Sequence, residues 1–173
     1  MGDPHFVKQL NNGNWLIVDS LYHSVIEVNE QDEAVWLYGL IGGMPLNDPH
    51  CAARNDYEET LIVDSANHRL LIVSQDLEVL WECSFLPYEG QLVHLSWPRY
   101  ADFLQNGNIF LIDGKLGVGF ELKRNGQVTK IHRSMDMNVT FAMRKTRCIH
   151  MIGNEIVFIS DNENSRILKV RYT

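Results

Sequence analysis

The stretch 12–20 reads NGNWLIVDS, and its core returns three times: TLIVDS at 60–65, NGNIFLID at 106–113 and GNEIVFISD at 153–161. The aspartates that close these runs, Asp19, Asp64, Asp113 and Asp161, stand 45, 49 and 48 residues apart. A polar stretch and a second apolar run follow each one: HSVIEV (23–28), HRLLIV (68–73), GVGFEL (117–122) and SRILKV (165–170). In the first three copies a third, weaker run follows: EAVWLYG (33–39), EVLWECS (78–84) and GQVTKIH (126–132). Each copy is also preceded by a short segment: PHFVKQL (4–10), PHCAAR (49–54), PRYADFL (98–104) and KTRCIHM (145–151). Self-similarity at such a period means that each repeat is one supersecondary unit, stacked on its neighbours to bury a shared core.

The runs are four to seven residues long, rich in β-branched and aromatic residues, and show no helical spacing, which makes them strands. Turn pairs separate them, among them Asn12-Gly13, Asn106-Gly107 and Asn125-Gly126. Leu16-Ile17-Val18 is apolar without alternation, as a strand covered on both faces must be. Four strands in about 45 residues is the arithmetic of a propeller blade. The expected fold is therefore all-β: one β-propeller over residues 1–173, with four-stranded antiparallel blades near 3–46, 47–96, 97–142 and 143–173. Copy 4 carries two extra residues before Asp161, which predicts a β-bulge there.

Composition agrees with a folded domain and narrows its partners. With 15 Lys+Arg against 22 Asp+Glu the net charge is −7, so a concentrated basic surface for nucleic acid or anionic membrane is not expected. No run of 18 apolar residues is present to span a bilayer. Three widely spaced cysteines, Cys51, Cys83 and Cys148, read as buried thiols in a reducing compartment, and the N-terminal residues lack the apolar core of a signal peptide, so a cytoplasmic location is expected.

The repeat resembles the NHL-type repeat and, equally, the propeller repeats of arylsulfotransferase-like proteins. The latter resemblance rests on a Pro-His step, an N-G-N turn, a Leu-Ile-Val-Asp strand and a Val-Trp strand, met here by Pro4-His5 with Trp36 and Pro49-His50 with Trp81. Copy 3 departs at Arg99 and Lys130, and copy 4 has Arg144-Lys145 where the others have Pro followed by His or Arg.

Four blades lie at the lower end of the propeller range. The fourth copy ends after its third strand, so its blade lacks an outer strand and leaves an edge bearing Ile167, Leu168 and Val170. Three resolutions follow: four blades close alone, two chains pair through that edge into an eight-bladed ring, or the chain is part of a longer propeller. A homodimer is the preferred one.

Aligned on the repeat, His5, His50, Arg99 and Lys145 occupy equivalent first-strand positions. In a closed ring they would converge near the axis as an anion site suited to sulfate, phosphate or carboxylate. The competing reading makes Pro-His a fold-specifying step whose imidazole bonds a neighbouring blade's backbone. For the four aspartates the structural reading is preferred, with each carboxylate accepting N–H groups in the turn to the third strand. The turn pairs His23-Ser24, His68-Arg69 and Ser165-Arg166 are expected to link neighbouring blades. Trp36 and Trp81 are expected to pack between blades. Residues 40–46, 85–90 and 133–138 are read as long blade-end loops suited to a partner-binding rim or lid.

Catalytic signatures are missing: G-x-S-x-G, H-E-x-x-H, Walker A and G-x-G-x-x-G do not occur. No metal ligand set or cofactor is expected from the sequence, although a site assembled from different blades leaves no mark in it. The expected function is a non-catalytic propeller that binds a protein or a small anionic ligand. The alternative, implied by the resemblance, is sulfuryl transfer through His5 or His50 as nucleophile, with Arg99 and Lys145 clamping the charged oxygens.

Overall fold

A computed structural model describes residues 1–39, 45–132, 149–152, 156–161 and 165–171. Within them the chain forms strands and turns, in sheets that recur at the period of the repeat. The first sheet runs β1 (Pro4–Gln9), β2 (Trp15–Asp19), β3 (Ser24–Val28) and β4 (Ala34–Tyr38). The second runs β5 (Pro49–Arg54), β6 (Thr60–Asp64), β7 (Arg69–Val73) and β8 (Val79–Cys83). A two-stranded hairpin, β9 (Phe85–Tyr88) and β10 (Gln91–His94), precedes the third sheet. That sheet runs β11 (Pro98–Phe103), β12 (Ile109–Asp113), β13 (Val118–Leu122) and β14 (Val128–His132). The last, β15 (Ile149–Ile152), β16 (Ile156–Asp161) and β17 (Arg166–Arg171), has three strands among the described residues, with β17 at its edge. Every sheet is an antiparallel meander in chain order. The chain divides into two compact units, Met1–Ser84 and Phe85–Thr173.

The second strands are buried as their unbroken apolar pattern requires. All five residues of β6, β7 and β12 are covered. In the first unit the two sheets share one core, where Leu16, Val18, Val25 and Tyr38 meet Ala52, Ile62, Leu71 and Val73. Each fully covered Leu, Ile or Val contributes roughly 1.5–3 kcal/mol. Fourth strands are more open, with Val35 of β4 and Val79 and Leu80 of β8 exposed.

Trp36 sits between the two blades. Its indole N–H donates to the Gln75 carbonyl at 3.1 Å, and the Arg54 guanidinium lies 4.8 Å from the ring centroid. Arg54 also forms a buried ion pair with Glu27 of the first sheet. Burial opposes the charge on Glu27, but donors from Asn14, Asn12 and Arg54 outweigh it and hold the carboxyl below its ordinary range. An inter-blade Trp36 is what the sequence led one to expect. Cys51 and Cys83 are buried, and Cys148 lies outside the described residues.

The repeated aspartate does more than close its own turn. Asp19 accepts N–H groups from Gly2 (2.6 Å), Asp3 (3.1 Å) and Tyr22 (3.2 Å). Asp113 accepts from Ser96 (2.6 Å), Trp97 (3.2 Å), Lys115 (3.0 Å) and Leu116 (2.9 Å). Asp64 accepts from the Asn47 N–H at 2.8 Å and from Arg69 Nε at 2.7 Å. In all three the carboxylate reaches back 17 residues to the segment that enters the first strand. The turn after it ends on a left-handed residue in each copy: His23, His68, Gly117 and Ser165. Arg69 bonds Asp64 and Glu82 of its own blade and also the Pro45 carbonyl, in the segment 3–46 read as the first blade, so it joins the two as expected.

Residues 85–90, expected as a loop, are instead one arm and the turn of the β9–β10 hairpin. Glu89 (φ 50°) and Gly90 (φ 78°) both take positive φ, the requirement of a two-residue type I′ turn. Pro87 masked the strand in the sequence. It is tolerated because a two-stranded ribbon consists only of edges, and it pairs opposite Leu92. Of the other two loops, 133–138 and residues 40–44 lie outside the described residues.

Asp113→Ala removes the acceptor of four backbone N–H groups in a part-buried turn, where a buried donor left unsatisfied costs about 1–3 kcal/mol. The expected loss in a urea titration is at least about 3 kcal/mol, against under about 0.5 kcal/mol for the exposed Asp76→Ala.

Candidate functional site

The entry to each first strand carries a second repeated feature. On β1, Pro4 pairs with Asp19 and Phe6 with Val18, so His5 is an extra residue in the ladder. On β5, Pro49 pairs with Asp64 and Cys51 with Val63, leaving His50 as the extra residue. On β11, Pro98 pairs with Asp113 and Tyr100 with Ile112, leaving Arg99. Proline lacks the N–H that a regular ladder would use, and a bulge both accommodates it and re-aims the next side chain. In copy 4, β15 and β16 pair without a register shift from Ile149 to Ile152, and the step beside Asp161 where a bulge is expected lies outside the described residues.

Two of the four sequence-predicted site residues come together in the first unit. The His5 and His50 rings meet edge to face, with centroids 4.5 Å apart and planes at 69°. Arg99 stands at the matching bulge of the third sheet, in the second unit, where its guanidinium lies 5.2 Å from the Trp97 ring. Lys145 lies outside the described residues.

Acidic groups accompany the histidine pair. His5 Nε2 lies 3.2 Å from an Asp3 carboxylate oxygen, and His50 Nδ1 lies 2.9 Å from the Asp48 carbonyl and 3.8 Å from its carboxylate. A carbonyl oxygen only accepts, so His50 Nδ1 is the donor in that contact. Asp48 is held in turn: its N–H donates to His23 Nδ1 at 3.0 Å, and the Ser20 hydroxyl donates to its carboxylate. His23 thus links the first blade to the second, as its place in the turn led one to expect. Gly39 packs against this corner with φ 125°, and a Cβ there would collide with the His23 carbonyl oxygen. The His50 side chain is 7% exposed and that of His5 26%, so the pair has a buried anchor and an accessible face.

Sequence reasoning missed Asp48, Asp3, Ser20 and His23 as partners of the pair. The signal was local: Asp3 and Asp48 each stand two residues before a histidine, in DPH at 3–5 and 48–50. The carboxylates of Asp19, Asp64 and Asp113 accept N–H groups, as the preferred reading of the repeated aspartate expects. Burial opposes the Asp19 charge, but the Gly2, Asp3 and Tyr22 N–H groups outweigh it and hold the carboxyl below its ordinary range.

Solved β-propeller structures are similar to this chain. It superposes on a protein of unknown function from Bacteroides caccae with TM-score 0.70 at 15% identity, over 97% of this chain and 63% of that one. Virginiamycin B lyase from Staphylococcus aureus gives 0.68 at 10% identity, over 98% of this chain and 52% of the lyase. The WD40 β-propeller domain of Doa1 gives 0.68 at 13% identity, over 98% and 51%. The chain therefore has a β-propeller fold, and it spans between half and two-thirds of the length of these neighbours. At such identities the likeness carries the fold alone. No protein-family model matches the chain, and no curated protein matches it significantly. Among the described residues no helix is long and apolar enough to cross a membrane.

Replacing the two histidines separates anchor from accessible face. His50→Ala is expected to cost about 2 kcal/mol in a urea titration, from the lost buried ring and the Asp48 carbonyl left without its donor. His5→Ala should stay within about 0.5 kcal/mol, as surface changes do. A loss for His5→Ala as large as that for His50→Ala would contradict this.

Proposed function

We propose that the chain is a non-catalytic binding propeller that takes a small anionic ligand at the paired first-strand bulges. The observation that carries this reading is the meeting of His5 and His50, two side chains that the repeat alone places 45 residues apart. Bulges re-aim side chains at functional edges, and here two adjacent blades aim imidazoles at one another beside an accessible face. Arg99 stands at the same bulge of the third sheet, and Lys145 is the aligned residue of the fourth copy. Ring nitrogens that donate to sulfate, phosphate or carboxylate oxygens supply orientation, and the blade frame supplies rigidity.

The test is calorimetric titration with sodium sulfate, run beside a turnover assay on 4-nitrophenyl sulfate. Saturable sulfate binding, weakened at least about tenfold in His5→Ala, is expected, with no phenol released above background. Phenol release that disappears in His5→Ala while the fold persists would establish sulfuryl-transfer chemistry instead.

We further propose that the ring is completed by a second copy of the chain through the edge strand β17, where Ile167 is 77% exposed. A strand at the edge of its sheet among the described residues is a template for another strand. Light scattering behind a sizing column should give twice the 20.0 kDa chain mass. A mass of one chain would refute the pairing.

A further inference from the structure

We propose that His5, Asp48 and His50 form a binding site for a divalent transition-metal ion, zinc foremost, built across the first two blades. The metal site stands on its own geometry. That its open positions receive the anionic ligand rests on the function proposed above.

One donor atom from each of the three side chains lies within 4.8 Å of the other two. Donors bound at about 2.0–2.2 Å to one ion stand roughly 3.0–3.5 Å apart, so the set must draw in by about an ångström. The residues that must move are those with room: His5 with its accessible ring and the half-buried Asp48, while the buried His50 stays as anchor. Two imidazoles and one carboxylate form a nitrogen-rich set that suits zinc, nickel, copper or iron, whereas magnesium and calcium take oxygen.

The surroundings match what metal-binding histidines require. Such a histidine gives its second ring N–H to a carbonyl or carboxylate, which fixes the tautomer and raises the basicity of the ligating nitrogen. His50 does so to the Asp48 carbonyl at 2.9 Å, which leaves Nε2 as the ligating nitrogen. Asp3 stands 3.2 Å from His5 Nε2 in the same role. The Ser20 hydroxyl steadies the Asp48 carboxylate, and His23 holds the Asp48 backbone. Asp3 and Asp48 bring two carboxylates to this corner, an arrangement that favours a cation. Three protein donors leave at least one coordination position for water or an incoming oxyanion.

The experiment uses the full chain without a histidine tag, stripped with EDTA and titrated with Co2+ under visible absorbance. Zn2+ then displaces the cobalt, and circular dichroism confirms the fold of each variant. One equivalent of Co2+ should give a saturable d–d band that Zn2+ abolishes, and His5→Ala and Asp48→Asn should each weaken binding at least about tenfold. Absence of a saturable band, or binding that both variants leave unchanged, overturns the metal site. Sulfate is added last, to the cobalt-loaded chain. A shifted band supports the open-position role, and an unshifted band overturns that role. Sulfate binding by the stripped chain as tight as by the loaded one would also overturn it, while leaving the anion-binding reading in place.

Discussion

The rest of the structure depends on a buried carboxylate that has no water to solvate it. Asp19, Asp64 and Asp113 each end a second strand with no exposed surface. An ionised group in that place persists only if N–H donors surround it. The chain supplies them from two directions, the turn that follows and the segment 17 residues earlier that enters the first strand. One contact thus pins both ends of the inner hairpin of a blade. It recurs in three copies because each blade has the same need.

The pinned entry has a consequence for the ladder beside it. With Asp19 tied to Gly2 and Asp3, the strand begins on Pro4, and the ladder takes an extra residue before Phe6. The same geometry holds at His50 and Arg99. A device that closes a turn therefore also selects which side chain leaves the plane of the sheet. Neighbouring blades then bring two such side chains into contact, while Trp36, Arg54 and Glu27 fasten the same two blades elsewhere.

Much of the fold was legible because its signals are local. β-branched runs, Asn-Gly turns and an aspartate every 45 to 49 residues need no long-range information to be read. The misreadings have one cause, which is that pairing partners decide them. Pro87 speaks against a strand until Leu92 is seen opposite it in an isolated ribbon. Arg69 looks like a purely inter-blade residue until Asp64 of its own blade is also found to hold it, at 2.7 Å.

The sequence by itself determined that this is an all-β repeat protein, that its second strands are buried, and that His5 and His50 are equivalent positions. Periodicity and turn chemistry act within a few residues, and a repeat makes them additive. Only the tertiary structure decided that those histidines touch and that Asp48 stands between their blades. It also decided that Asp3, Ser20 and His23 hold this corner in place. Such a cluster is assembled from two copies of the repeat, and the distance between copies is set by the packing of their sheets, a quantity no single stretch of chain encodes.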